Sequence, residues 1–137
     1  MPLSHLLDTC VYCQPLKPRP LSGVEARWRK LGDDALAISA ICEAELLYGL
    51  EWRQSAKLNS LYTDLLANRL QVLPVETCVA REFGRLKARC RKRGFIASDF
   101  DFLTAAAAKA NGLILATINV RHFTGIEGLA FEDWSCA

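Results

Sequence analysis

The feature that most constrains this chain is the alternation of short apolar runs with segments carrying helical signals. His5 to Leu7 reads as a short strand that stops at Asp8-Thr9, and Ala35 to Ile38, Leu70 to Val75 and Leu113 to Thr117 follow as the second to fourth strands. Leu129 to Asp133 is a candidate short edge strand. Between them lie predicted helices over Val24–Leu31, Lys57–Asn68 and Phe100–Ala110, with Leu58, Leu61, Leu65 and Leu66 inward on the second. Ser39 is a predicted N-cap for a helix running to about Trp52, with Ile41, Leu46, Leu47 and Leu50 near its apolar stripe. Thr77 is the predicted cap of a helix that stops at Gly94, and Gln14 to Pro20, with three of the five prolines, is a predicted loop. Strands alternating with helices imply an α/β fold with a mostly parallel sheet covered on both faces.

At 137 residues the chain is expected to form a single domain, 1–137, with a core of its own. Its net charge of +2 hides an asymmetry. Arg81 to Arg93 holds seven basic residues and one acid, a local +6 that leaves −4 for the remainder. One basic helix on a net acidic body suggests a polyanion partner, with Arg85, Arg89, Lys92 and Arg93 as candidate contacts, although such a helix taken alone is more often a solvated face. Six cysteines are too few for a disulfide scaffold in a chain that can build a core, and no secretory signal or membrane span is expected. The expected setting is reduced and cytoplasmic.

In open α/β sheets, ligands bind outside the carboxyl ends of the strands. That rule gathers Asp8 after the first strand, Glu45 on the helix that starts at the second, Asp101 with Asp99 at the start of the last helix, and Asn119 after the fourth strand. Such a cluster of hard oxygen donors suits Mg²⁺ or Mn²⁺, and two such ions can drive phosphodiester hydrolysis. Each acid also has a plain reading. Asp8 alone is a strand-end turn residue, Asp99 or Asp101 alone an N-cap, and one of Glu43 and Glu45 is expected to be solvated.

The segments Leu6-Leu7-Asp8-Thr9, Ile38-Ser39-Ala40-Ile41 leading to Glu45-Leu46-Leu47-Tyr48-Gly49, Asp101 to Ala106, and Leu115 to Asn119 with Phe123 occur in a specific order. So arranged, the sequence resembles the PIN-domain ribonucleases, specifically the VapC-type toxins of bacterial toxin–antitoxin pairs. The resemblance implies a three-layer α/β/α fold with a sheet of four to five strands. It implies a Mg²⁺-dependent endoribonuclease acting on RNA, often a tRNA. The mechanism expected of such a centre is in-line attack of water on phosphorus with departure of the 3′ oxygen, leaving 3′-hydroxyl and 5′-phosphate ends. The resemblance also implies inhibition by a VapB-type antitoxin, and a homodimer. By the same resemblance Asp8, Glu45 and Asp101 are the metal-binding acids, Asn119 is a polar neighbour of the metal, and Thr9 and Ser39 lie close by; Thr117 is a further candidate neighbour.

Three positions depart from the family pattern. Cys10 stands where relatives often carry Asn, Ile118 where they often carry Arg or another polar residue, and His122 where an acid usually precedes the Phe. His122 is kept as a possible site residue and expected at the rim. These departures make a PIN-fold protein that binds RNA or an antitoxin without cleavage the alternative. Cys10-Val11-Tyr12-Cys13 has no second pair to complete a zinc site, and a structural reading is favoured. No Gly-rich nucleotide motif is present. A phosphate-accepting receiver is disfavoured because Pro74-Val75-Glu76 occupies the place of its phosphorylatable Asp.

Overall fold

The computed structural model describes residues 2–136. Strands β1 (His5–Leu7), β2 (Leu36–Ser39), β3 (Gln71–Leu73), β4 (Ile114–Thr117) and β5 (Phe131–Asp133) form one sheet in the order β3-β2-β1-β4-β5. Every pairing is parallel. β1 and β2 are buried at every residue, as a sheet covered on both faces requires.

The helices are α1 (Thr9–Tyr12), α2 (Ser22–Leu31), α3 (Ala40–Arg53), α4 (Ala56–Leu65), α5 (Thr77–Lys92) and α6 (Asp99–Ala110). Successive strand side chains point to opposite faces, so Leu6 and Leu7 enter different cores. Leu6 packs with Leu86 and Cys90 of α5, Phe102 of α6, and Phe123. Leu7 packs with Val11, Trp28, Leu46 and Trp134 on the other side. Ala105 to Ala108 of α6 are all buried; four successive residues of a helix point in different directions, so α6 is enclosed by α5 as well as by the sheet, and the small side chains permit that close packing. The three-layer α/β/α architecture and the parallel sheet agree with the sequence reading.

Several local expectations need correction. Residues 9–12 form a short helix and Gln14–Leu16 a 3₁₀ turn, so the first connection is more ordered than its prolines suggest. Thr77 is the first residue of α5, whose cap position is Glu76 without a capping side chain. Ser98, and neither Asp99 nor Asp101, caps α6 by accepting from the Asp101 amide. Leu47 and Leu65 are exposed rather than inward. Helical periodicity marks one face, but α4 packs loosely enough to bury no residue fully.

Trp134 closes the sheet beyond β5. Its backbone amide donates to the Thr117 carbonyl at 2.9 Å, its indole N–H donates to Glu132 at 3.1 Å, and its ring is completely buried. Trp134→Ala is expected to lower unfolding stability by about 3–5 kcal/mol, measured by urea denaturation.

Candidate active site

The chain runs outward from β1 to β2 to β3 and then crosses back to place β4 on the other side of β1. The ends of β1 and β4 are therefore the topological switch point, where a crevice opens outside the strands. Asp8 leaves β1 here, its amide donating to the Ala116 carbonyl of β4 at 2.9 Å. Strand pairing thus fixes the backbone of the first acid.

Its side chain is held as firmly. Asp8 caps α1, with Oδ1 accepting from the Thr9 amide at 2.9 Å. Oδ2 accepts from the Thr117 hydroxyl at 2.9 Å and the Cys10 thiol at 3.3 Å. Thr117 is fully buried, and its hydroxyl also accepts from the Asn119 amide at 3.0 Å. The Thr9 hydroxyl donates to Glu45 Oε1 at 2.7 Å, which ties α3 to α1. Asp101, on the first turn of α6, has Oδ2 3.1 Å from His122 Nδ1.

These groups line one cleft of about 610 Å³, which contains Asp8, Thr9, Cys10, Glu45, Asp101, Asn119 and His122. Burial pushes the Asp8 carboxyl above its ordinary value against the pull of its hydrogen bonds, and the Asp101 charge adds to the rise. Glu45 is raised by the same cause, with further repulsion from Asp8 and Asp101. The Cys10 thiol is pushed up to about 12 by burial and by Asp8, so it acts as a neutral donor. Among the described residues, neither Asp8 nor Glu45 forms an ion pair with Lys or Arg. Three electrostatically coupled carboxylates thus face one cleft without a basic counter-charge on two of them.

Other candidates fall elsewhere. Ser39 is buried and spends its hydroxyl on the Cys42 amide, capping α3 outside the cleft lining. Asp99 is exposed and pairs with Lys87 at 2.7 Å, fastening α6 to α5 instead of entering the cleft. Arg85 pairs with Glu82 on its own helix, and Arg93 with Glu127. Arg89 and Lys92 are exposed and form no ion pair among the described residues. All six cysteines are free thiols. Sequence reasoning missed Arg121 and the Ile96-Ala97-Ser98 segment, which also line the cleft. The signal for Arg121 was its place in the polar turn directly after Asn119.

The profile of the PIN domain matches residues 5–126. The chain belongs to the PIN-domain family. Within that family it is a ribonuclease of the VapC type. It is 32% identical to the tRNA(fMet)-specific endonuclease VapC of Shigella flexneri, over 97% of this chain and 99% of that one. Ribonuclease VapC2 of Haemophilus influenzae is also 32% identical, over 96% and 98%. Among solved structures, DNA-bound VapBC from Salmonella typhimurium superposes with a TM-score of 0.84 at 29% identity, covering 96% of this chain and 98% of the other. FitAcB from Neisseria gonorrhoeae gives 0.85 at 29% identity, covering 95% and 97%.

Nucleases of this family generally depend on a divalent metal, and the donor chemistry of the cleft fits such an ion. Hard oxygen donors predominate, and their mutual repulsion is the condition a cation relieves. Among the described residues no three acidic, histidine or cysteine groups are already gathered as a coordination set. Glu45 is hydrogen-bonded to Thr9 and Asp101 is paired with His122.

The raised Asp8 value has a definite sign for stability. Below the ordinary value of 3.8 the carboxyl is protonated in both folded and unfolded chains, and no penalty arises. As pH rises, the unfolded carboxyl ionises first and the metal-free folded state loses stability. Asp8→Asn is therefore expected to raise the metal-free Tm at neutral pH by about 2–5 °C, with the difference shrinking as pH falls toward about 4. Differential scanning fluorimetry in EDTA measures this. Saturating Mn²⁺ should raise the Tm of the wild type and leave that of Asp8→Asn unchanged.

Proposed function

We propose that this protein is the toxin of a type II toxin–antitoxin pair, an endoribonuclease that hydrolyses RNA, with tRNA as its substrate and Mg²⁺ or Mn²⁺ as its ion. The observation that carries this reading is the set of three coupled carboxylates at the β1/β4 switch point, two of them raised by burial and mutual repulsion. The Shigella flexneri relative is named for cleavage of tRNA(fMet), which supports the choice of substrate. The VapBC and FitAcB complexes among the structural neighbours support a VapB-type antitoxin as partner. An intracellular RNA target and six free thiols favour the cytoplasm, and among the described residues no helix is long and apolar enough to cross a membrane. We take the working form to be a homodimer of chains that each fold as one PIN domain over 1–137.

Asp8 and Asp101 would hold the ion, with Glu45 and Asn119 beside them. A divalent cation bound there would supply stabilisation of charge on the phosphodiester and a more acidic water. Asp8 is pre-positioned by three donors, so it need not reorganise. Glu45 keeps Oε1 on the Thr9 hydroxyl, which leaves Oε2 to receive a proton from water. Its raised affinity for a proton suits that task. Arg89 and Lys92 on α5 draw the RNA backbone toward the cleft in a salt-dependent way.

Incubation of the protein with total tRNA tests the reading. Cleavage should require Mg²⁺ or Mn²⁺, cease in EDTA, and fall at least about 100-fold in Asp8→Ala and Asp101→Ala, in line with loss of a group that stabilises the transition state. The contact between His122 and Asp101 favours a second reading, in which the protein binds RNA or its antitoxin without cutting. Under that reading the wild type binds tRNA but leaves it intact, and His122→Asp restores cleavage.

A further inference from the structure

Residues 93–98 join α5 to α6; Ile96, Ala97 and Ser98 of this turn form a lip of the candidate cleft, and the residues before them anchor it. The Phe95 amide donates to the Cys90 carbonyl at 2.9 Å. The Phe95 ring packs so closely on Gly125 that no side chain fits there. Arg93 donates to the Gly125 carbonyl and pairs with Glu127. From this clamped turn Ile96 extends with 89% of its surface in water, yet it lines the cleft that contains Asp8 and Asp101. Isoleucine normally earns its place by burial, and here the backbone holds it out of the core.

Arg121 is the one Lys or Arg side chain lining the same cleft among the described residues. Lys92 lies at the end of α5, immediately before the turn. A cleft lined by acids repels phosphate, so a polyanion entering it needs cations at the margin. The combination of fixed apolar tip, marginal cations and central acids is complementary to a nucleotide whose phosphate and base point in different directions.

We propose that Ile96 and Arg121 form a nucleotide-reading lip. Arg121 holds a phosphate flanking the scissile bond, and Ile96 packs on the face of an unstacked base. The contribution of Ile96 is accordingly confined to an unstacked base, because bases stacked in an A-form helix present no face to a side chain. This inference rests on the ribonuclease reading above and assigns Ile96 and Arg121 a positioning role toward its substrate.

Binding is measured on full-length protein carrying Asp8→Asn to prevent cutting. The probes are a fluorescein-labelled RNA hairpin with an unpaired loop, the same hairpin with one abasic nucleotide beside the cut mapped with wild type, and a blunt duplex of equal length. Ile96→Ala should weaken hairpin binding about 3–10-fold and leave the duplex and the abasic hairpin unchanged. Arg121→Ala should weaken all three and reduce the salt slope by about one. Equal loss on hairpin and duplex, or no loss on either, overturns the proposal. So does an oligomeric mass altered by Ile96→Ala with RNA binding intact, which would make the lip a protein contact. If wild type neither binds nor cuts any RNA, the ribonuclease reading itself falls. Cutting of tRNA together with hairpin binding insensitive to Ile96→Ala defeats only the lip.

Discussion

Asp8 is only 7% exposed, yet it lines an open cleft. Three donors from Thr9, Cys10 and Thr117 fix its carboxyl at the point where β1 and β4 part. Burial opposes its charge, and Asp101 opposes it further. The rest of the site follows from that tension. β1 and β4 are held together by parallel pairing, Thr117 is buried to supply its hydroxyl, and Thr9 passes the constraint on to Glu45. Asp8 and Glu45 have no Lys or Arg partner among the described residues, so gathering their charge costs metal-free stability, and the proposed function puts a divalent ion where that charge is concentrated.

Under the proposed function, the basic surface and the acid cleft divide the work of handling RNA: the exposed cations of α5 attract its backbone, and the carboxylate cluster repels it until a cation offsets the charge. Not all of the +6 on the basic segment is available, since Arg85, Lys87 and Arg93 are engaged with Glu82, Asp99 and Glu127. The arrangement couples attraction to the fold itself. Lys87 and Arg93 fasten α5 to α6 and to the turn after β4, which also sets the geometry of the lip.

The succession of strands and helices, the layer architecture and the gathering of the three acids at one cleft were legible because each rests on local chemistry: short apolar runs, Ser39 before a helix, and acids directly after strands; the order of strands across the sheet was not, because no local signal carries it. Asp99 and Asp101 illustrate the limit. Two residues apart on one helix, they point to different partners, and only the packing of α5 beside α6 tells them apart. Thr77 and Ser98 show a second limit, because several residues at a helix start have capping chemistry and backbone geometry selects among them. Leu47 and Leu65 share the apolar character of their helices but not the face that meets the core. Arg121 and Ile96 were hidden for another reason: they reach the cleft from segments far apart in the chain, and no periodicity marks an exposed residue as part of a site.

The most direct test of a cation-dependent hydrolytic centre is the chemistry of the cut ends. RNA cleaved by the protein should carry a 5′-phosphate and a 3′-hydroxyl, detected by end-labelling with and without phosphatase, and such ends should accumulate only when Mg²⁺ or Mn²⁺ is present. Ends bearing a 2′,3′-cyclic phosphate and still forming in EDTA would show that the ribose hydroxyl, and not water at a carboxylate-held ion, performs the attack, and would contradict the account.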